Sequence, residues 1–431
     1  MIRRSAHPHR RIRRMNLVAA VSALAIVALV ALSACSTTGE ATGSADAVSN
    51  KGASWSTEPI GVYTPGTALA ADHMRITILG SSFLARLAQQ ANSVYVELGN
   101  GDSFVFDFGS GVSANYNAMG ISPGHMTKIF VTHLHGDHTS DLVFLYTMGA
   151  AQDRKTPLTL YGPSGDSADE GIAAFGSNLK ALMKWHEEAF SFLPTGTVDQ
   201  GDGYDIVTHE LPYMETGVAY EANGVKITHF PAVHDRDGSI SYRLDWNGLS
   251  MVFTGDTRPN NYVLENAKGV DVLVHEMVVP PEVWVTANSG LVPGDPGYDQ
   301  SLDMATEVQE SSHTPELALG YILSQTQPRL GVATHFQVNK DTRPAAVERV
   351  RSWYKGPFAI ATDLFSIDVS KDKITLGQAT VSEYAWYARN QVVWSADQLA
   401  PPKYDGPYAQ LNDTLLSNVI SSDIYENPPA K

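Results

Sequence analysis

One six-residue string constrains this chain more than any other feature: His133-Leu134-His135-Gly136-Asp137-His138, directly after Thr132 and the apolar run Ile129-Phe130-Val131. Three imidazoles and one carboxylate crowd together at the end of what reads as a buried strand. Polar groups packed this closely cost free energy unless a ligand or partner satisfies them. Imidazole suits zinc, and the carboxylate can serve as a further ligand or as a base. The string therefore calls for a fold that opens a strand end into a site.

The surrounding pattern supplies such strands. From Arg75 onward, short apolar runs recur, each closed by Gly, Pro, Asn or Asp. Arg75 to Leu79 reads as a strand, and Ser93 to Leu98 and Ser103 to Phe108 flank Gly99-Asn100-Gly101-Asp102, a hairpin signal because Asn and Gly tolerate positive φ. Further strands are predicted at Lys128 to Thr132, Leu158 to Tyr161, Val225 to Phe230, Ser239 to Asp245, Leu249 to Thr254, Val270 to His275, Leu330 to Thr334 and Phe358 to Ile360. A helix is predicted at Pro315 to Gln325. Early hairpins followed by alternating strands and helices imply two sheets covered by helices rather than one all-parallel sheet.

The HxHxDH string resembles the signature of the metallo-β-lactamase superfamily, and the resemblance extends over most of Arg75 to Val369. It implies an α/β (α+β) chain folded as the αββα four-layer sandwich, with residues 74–370 as the catalytic domain. The later metal histidines of that family look like His234 in Phe230-Pro231-Ala232-Val233-His234-Asp235 and His335 in Val332-Ala333-Thr334-His335-Phe336. Its bridging aspartate looks like Asp256 in Phe253-Thr254-Gly255-Asp256-Thr257, and Asp107 in Phe106-Asp107-Phe108-Gly109 resembles an aspartate that supports the site without binding metal. The resemblance implies one cation on His133, His135 and His234, a second on Asp137, His138 and His335, and Asp256 between them. Two Zn2+ ions are expected, although iron or manganese suits similar ligands. Water between two such cations loses a proton near neutral pH, and Asp137 is expected to orient it and accept that proton.

Two further motifs resemble paired motifs of the tRNase Z-like zinc phosphodiesterases, a branch that also includes secreted arylsulfatase-like enzymes with the same two-metal site. These are His275-Glu276, after an apolar strand, and His313-Thr314, before the helix at Pro315. The resemblance implies that His313 protonates the departing oxygen while Glu276 holds its ring. Only 21 residues separate His234 from Asp256, which leaves no room for a long basic arm that grips tRNA. Segments at Gly162 to Glu221 and Val278 to Ser312 read as insertions, whose Trp185, Phe190, Phe192, Tyr204, Tyr213 and Trp284 are expected to form an aromatic lid.

The N-terminus bears on where such chemistry takes place. Residues 1–16 carry six arginines and no acid, and Leu17 to Leu32 is an apolar run broken only by Ser22. That layout is a signal peptide, and Leu32-Ser33-Ala34-Cys35 resembles the lipobox of bacterial lipoproteins. Cys35 is the single cysteine of the chain, which suits an oxidising compartment without a disulfide framework. Residues 1–34 are thus expected to be removed, 35–73 to form a tether, and 371–431 to pack on the core as a C-terminal extension. The expected location is the periplasm or cell surface, held to the membrane through a lipid on Cys35. Losing six arginines and no acid moves the formal charge from −16 to −22. A surface of that sign repels nucleic acid phosphates, so nucleic acid is a disfavoured partner.

These readings converge on a metal-dependent hydrolase of a small phosphate or sulfate ester. A lactone or β-lactam hydrolase on the same fold, or a non-catalytic metal- or ligand-binding lipoprotein, are the alternatives, and the sequence leaves the oligomeric state open, a homodimer included. The Cys35→Ala variant should leave the membrane fraction or remain unprocessed, as membrane fractionation and intact mass would show. Wild-type protein that is fully soluble with residues 1–34 attached would contradict the anchor.

Overall fold

The structure, a computed structural model, describes residues 60–152, 154–190 and 202–386. Cys35 and the proposed leader lie outside the described residues. Among the described residues, sixteen strands form two sheets. They are β1 (Ile60–Tyr63), β2 (Met74–Gly80), β3 (Ser93–Leu98), β4 (Ser103–Phe106), β5 (Lys128–Phe130), β6 (Leu158–Pro163), β7 (Ile206–Leu211), β8 (Gly217–Ala222), β9 (Val225–Pro231), β10 (Ile240–Trp246), β11 (Leu249–Phe253), β12 (Val272–Glu276), β13 (Leu330–Thr334), β14 (Phe358–Ile360), β15 (Phe365–Val369) and β16 (Ile374–Ala379).

The first sheet runs β1-β16-β15-β2-β3-β4-β5-β6-β7 and the second β14-β13-β12-β11-β10-β9-β8. Local hairpins make the antiparallel part of each sheet, as in β2-β3-β4 and β8-β9-β10-β11. Helical crossovers make the parallel parts, β4-β5-β6-β7 and β11-β12-β13-β14. This division follows from connection length, since a two-residue turn can only reverse a strand whereas a parallel return needs a longer crossover.

Side-chain alternation then assembles four layers. Val94, Val96, Phe104, Phe106 and Phe130 of the first sheet pack against Ile227, Tyr242, Met251, Phe253 and Val274 of the second. Their neighbours Tyr95, Val105 and Ile129 face outward onto helices Val112–Ala118 and Leu142–Ala151. Val252, Leu273 and Ala333 face outward onto helices Glu316–Thr326 and Thr342–Trp353. A strand buried on both faces reads as a continuous apolar run, which explains why Leu273-Val274 and Ile129-Phe130-Val131 were legible. The αββα sandwich expected from the sequence is the fold of the described residues.

The structure corrects several boundaries. The end of the segment expected to be a tether belongs to the first sheet, because β1 pairs in parallel with β16 from Ile60↔Leu376 to Tyr63↔Ala379. Within the segment expected to be a C-terminal extension, the strand expected at Lys373 to Leu376 is present as β16, shifted to Ile374–Ala379, and pairs with β15. Gly162 to Glu221, expected to be an insertion, supplies β7 and all but the last residue of β8, which extend the two sheets, along with two helices. The strand at Ser103 stops at Phe106, since Asp107 takes a left-handed φ of 56° that ends the pleat.

Strand direction positions the site. β4 and β5 run parallel, as do β11, β12 and β13, and β9 shares the direction of β11 because each is antiparallel to β10. The loops after all six strands therefore open at one edge of the sandwich. Two bonds tie the sheets together there: the Ile240 N–H donates to Thr132 O at 2.9 Å, and the Tyr242 hydroxyl donates to Val131 O at 2.8 Å. Tyr242 is fully buried, so Tyr242→Phe removes a bond without admitting water. We expect a loss of about 1–3 kcal/mol in stability, read by chemical denaturation; an unchanged midpoint would contradict a supporting role.

Candidate metal centre

The six-residue string leaves β5 and turns at once into the short helix Gly136–Thr139. This turn brings His133, His135 and His138 to one side. Asp107, at the end of β4, holds the turn in place: its carboxylate accepts from the Thr132 N–H at 2.7 Å, the Thr132 hydroxyl at 2.8 Å and His138 Nδ1 at 2.7 Å. The Thr132 oxygen, already donating to Asp107, accepts from His133 Nδ1 at 3.1 Å. His234, after β9, donates from Nδ1 to Ser312 O at 2.8 Å. Each of these rings thus keeps its Nε2 as the unprotonated nitrogen, the arrangement that outer partners impose on metal-binding histidines.

Those free nitrogens converge. His133 Nε2 lies 3.1 Å and His234 Nε2 3.2 Å from His135 Nδ1. Asp256, after β11, stands between two groups: Oδ2 is 3.9 Å from His133 Nε2 and 3.8 Å from His234 Nε2, while Oδ1 is 3.2 Å from His138 Nε2 and Oδ2 is 3.1 Å from His335 Nε2. Asp137 Oδ2 completes the second group, 3.3 Å from both His138 Nε2 and His335 Nε2. His138 Nε2 and Asp256 Oδ1 are buried and make no hydrogen bond. Buried polar atoms facing one another without a bond are costly, and cations would satisfy them. The donor set of five imidazoles and two carboxylates, in the groups His133/His135/His234 and Asp137/His138/Asp256/His335, fits two metal ions.

The electrostatics agree. Burial pushes the His335 ring toward neutrality, yet Asp256, Asp137 and Glu276 outweigh it and raise its pKa to about 10. His138 is likewise raised by Asp256, Asp137 and Asp107 against the effect of burial. This pocket demands positive charge, which protons or metal cations can supply at the same nitrogens.

Local backbone shape contributes to the convergence. Gly255 has φ +57°, and a Cβ there would lie 2.5 Å from the Thr132 hydroxyl oxygen, so only glycine lets the Asp256 loop approach the His133 strand. His335 itself sits at φ 60°, an uncommon conformation for a non-glycine residue that clusters at functional sites.

Glu276 and His313 belong to the same assembly. His313 caps the C-terminus of helix Tyr298–Ser312, and its Nδ1 donates to Glu276, 3.0 Å from each carboxylate oxygen. Glu276 is fully buried and also accepts from the Thr257 N–H at 2.6 Å. Burial pushes the His313 ring down, but the Glu276 carboxylate, with Asp256, more than offsets it and leaves its pKa raised. A cavity of about 550 Å³ opens over the centre, lined by His135, Asp137, His234, His313, Phe83 and Leu84 among others.

The structure brings together all nine of the metal and catalytic candidates named from the sequence. Among the described side chains, which do not include that of Phe190, it does not gather the expected aromatic lid. Trp185 is exposed and lines no part of this cavity, while Tyr204, Tyr213 and Trp284 pack against the hydrophobic core; Phe192 lies outside the described residues. The apolar wall comes instead from Phe83 and Leu84. The supporting roles of Thr132 and the Ser312 carbonyl also escaped the sequence, because a hydroxyl and a backbone oxygen carry no signature.

The sequence profile of the Metallo-beta-lactamase superfamily matches residues 86–310, more than half of the 431. The chain belongs to that superfamily and is a hydrolase of the metallo-β-lactamase fold. Among its relatives, Ribonuclease Z of Anoxybacillus flavithermus is 30% identical over 252 residues, covering 53% of this chain and 78% of that protein. Ribonuclease Z of Methanothermobacter thermautotrophicus is 27% identical over 231 residues, covering 47% and 74%. Among solved structures, human tRNase Z, short form, aligns with a TM-score of 0.48 and 19% identity, covering 68% of this chain and 98% of that one.

Full-length protein should retain about two metal ions per chain under a binuclear arrangement, measured by elemental analysis. Asp256→Ala, which removes the carboxylate facing both groups, should lose at least one of them. Undiminished metal content in that variant would contradict the assignment.

Proposed function

We propose that this protein is a binuclear metal-dependent phosphodiesterase. In this reading His133, His135 and His234 hold one cation, Asp137, His138 and His335 hold the other, and Asp256 faces both. Zinc is the proposed metal, since imidazole predominates and no thiolate is present among the ligands. When bound, such a pair supplies Lewis acidity and lowers the pKa of water toward neutrality.

The chain's own groups do the rest. Although burial raises its pKa, Asp137 is held ionised by His138 and His335, which pull the pKa well below the usual carboxylate range. A carboxylate that weakly basic acts chiefly as an acceptor that orients the attacking water, rather than as a strong base. His313, with Nδ1 committed to Glu276, has only Nε2 to offer, and its raised pKa keeps that nitrogen protonated to higher pH. It therefore donates a proton to the departing oxygen, while Glu276 orients the ring and stabilises its charge. This pairing of His313 with Glu276 beside the metal donors is the observation that carries the proposal, because a poor oxygen leaving group gains most from a proton donor.

Two substrate classes rest on different observations. The relatives' name, ribonuclease, favours a phosphodiester in RNA and counts against the expectation from net charge that nucleic acid is disfavoured. Net charge is a property of the whole surface, whereas a scissile phosphate meets the centre. A small phosphodiester is favoured by the cavity lining, which contains no Lys or Arg among the described residues, although RNA binding normally draws on several.

Metal-loaded protein should cleave bis(4-nitrophenyl) phosphate faster than 4-nitrophenyl phosphate, 4-nitrophenyl sulfate or a lactone, and an RNA with a single-stranded 3′ trailer tests the first class. Turnover of the sulfate or lactone alone would sink the reading. His313→Ala should slow an alkyl phosphodiester by about a hundredfold to ten-thousandfold while sparing the nitrophenyl diester; equal losses on both would remove the proton-donor role. Because the active form of His313 is the protonated one, activity should fall as pH rises through its pKa. Glu276→Gln removes the charge that raises this pKa, so the alkaline limb of the profile should move to lower pH, and an unmoved limb would contradict the pairing.

A further inference from the structure

The loop joining β2 to β3 has an unusual surface beside the centre. Phe83, Leu84, Ala85, Leu87 and Ala88 are all half-exposed or exposed, with Leu84 at 57% and Leu87 at 107%. Arg86, the one polar residue of the stretch, turns back onto the body, where it donates to Gln89, Val338 O and Asn339. An isolated exposed leucine needs no explanation, but an apolar tip interrupted only by Arg86, at the rim of the cavity over the metal donors, does.

The loop is also firmly anchored. Asp363 accepts from Ser81 N–H and hydroxyl, from Gln90 N–H and from Asn115 at 2.6–3.0 Å, joining the two ends of the loop. Buried Gln89 bonds Ser81 and Phe336 O and accepts from the Val338 N–H. The Phe83 ring stands 5.7 Å from the His335 ring, centroid to centroid. Phe83, Leu84 and Ala85 line the cavity directly. A base held by this many bonds keeps apolar side chains in water at a fixed distance from the donors, which is how a preformed apolar subsite is built.

We propose that the Phe83–Ala85 wall is a specificity subsite for an apolar or aromatic group carried on the ester, so that the preferred substrate is a small phosphodiester with such a substituent. This rests on the phosphodiesterase reading, and the measurement below separates the two. Two non-hydrolysable phosphinates, each with one methyl group on phosphorus and a second substituent that is either 2-naphthylmethyl or methyl, so that carbon replaces both ester oxygens, would be titrated calorimetrically into the metal-loaded full-length protein, and the matching phosphodiesters assayed for turnover. The naphthyl compound should bind at least about tenfold tighter than the methyl compound, and Leu84→Ser should reduce that preference by about fivefold or more. Leu182→Ser, at an exposed leucine outside the cavity, should leave it unchanged. Equal binding of both compounds to wild type, or a preference that survives in both Leu84→Ser and Phe83→Ser, would overturn the subsite. So would loss of binding to phosphatidylglycerol vesicles in Leu84→Ser with the aryl preference intact, which would assign the tip to a lipid surface. Should neither diester be cleaved while the preference behaves as expected, the phosphodiesterase reading fails and the subsite stands.

Discussion

The geometry of the centre depends on one buried carboxylate that touches none of the cavity. Asp107 is fully buried, and burial leaves its pKa raised even against the lowering by His138 and Thr132. Bonds from the Thr132 backbone, the Thr132 hydroxyl and His138 make the ionised form useful, since each donor is stronger toward a charge. Through these bonds the end of β4 fixes where the His133–His138 turn begins, which tautomer His138 adopts and, by way of Thr132, which way His133 faces. Four donor residues then come from a single turn whose position is set from behind.

The remaining donors need the second sheet. His234, Asp256 and His335 follow β9, β11 and β13, and Glu276 ends β12; these strands of the second sheet share one direction, with only antiparallel β10 between β9 and β11, so their C-terminal ends open at the same edge. The Thr132–Ile240 and Val131–Tyr242 bonds hold this edge against the first sheet. Close packing between the sheets makes that distance stiff, because interiors this dense do not absorb displacement gradually. The antiparallel and parallel parts of the fold thus divide the labour: hairpins build the core cheaply in sequence, and the parallel ends supply aligned loops.

Much of this was legible in the chain. Strands buried on both faces announce themselves as apolar runs, and ligands adjacent in sequence announce themselves as a cluster, which is why β5, β11, β12, β13 and the His133–His138 turn were read with small errors at their ends. β15 was missed although Phe365-Ser366-Ile367-Asp368-Val369 alternates, because five residues beside a turn give a weak signal. β1, β7 and β8 were missed because each has a largely solvated face, and their place in a sheet is decided by partners far away in sequence. Distant ligands such as His234 and His335 were found by resemblance, not by any local pattern; alone, each is an ordinary histidine after a strand. The aromatic lid failed for a general reason: large aromatic side chains are needed to fill a core of this size, and composition cannot tell a core aromatic from a lining one.

The charge around the centre reconciles an acidic protein with an anionic substrate. Asp107, Asp137, Asp256 and Glu276 place four negative charges within the assembly, and His313 in its protonated form returns one. Two divalent cations on the proposed ligands would reverse the sign, leaving a small local excess of positive charge at the mouth of the cavity. The formal charge of −16 is spread over the whole chain, and beyond about 8 Å at physiological salt it is largely screened. A monoanionic diester, the proposed substrate, would therefore meet a field set by the proposed metals and His313. Recognition of the rest of the molecule falls to what lines the cavity, and in this chain that wall is apolar at Phe83 and Leu84 rather than cationic. In the proposed reading the metals would decide whether an anion is held at all, and the loop between β2 and β3 would decide which one.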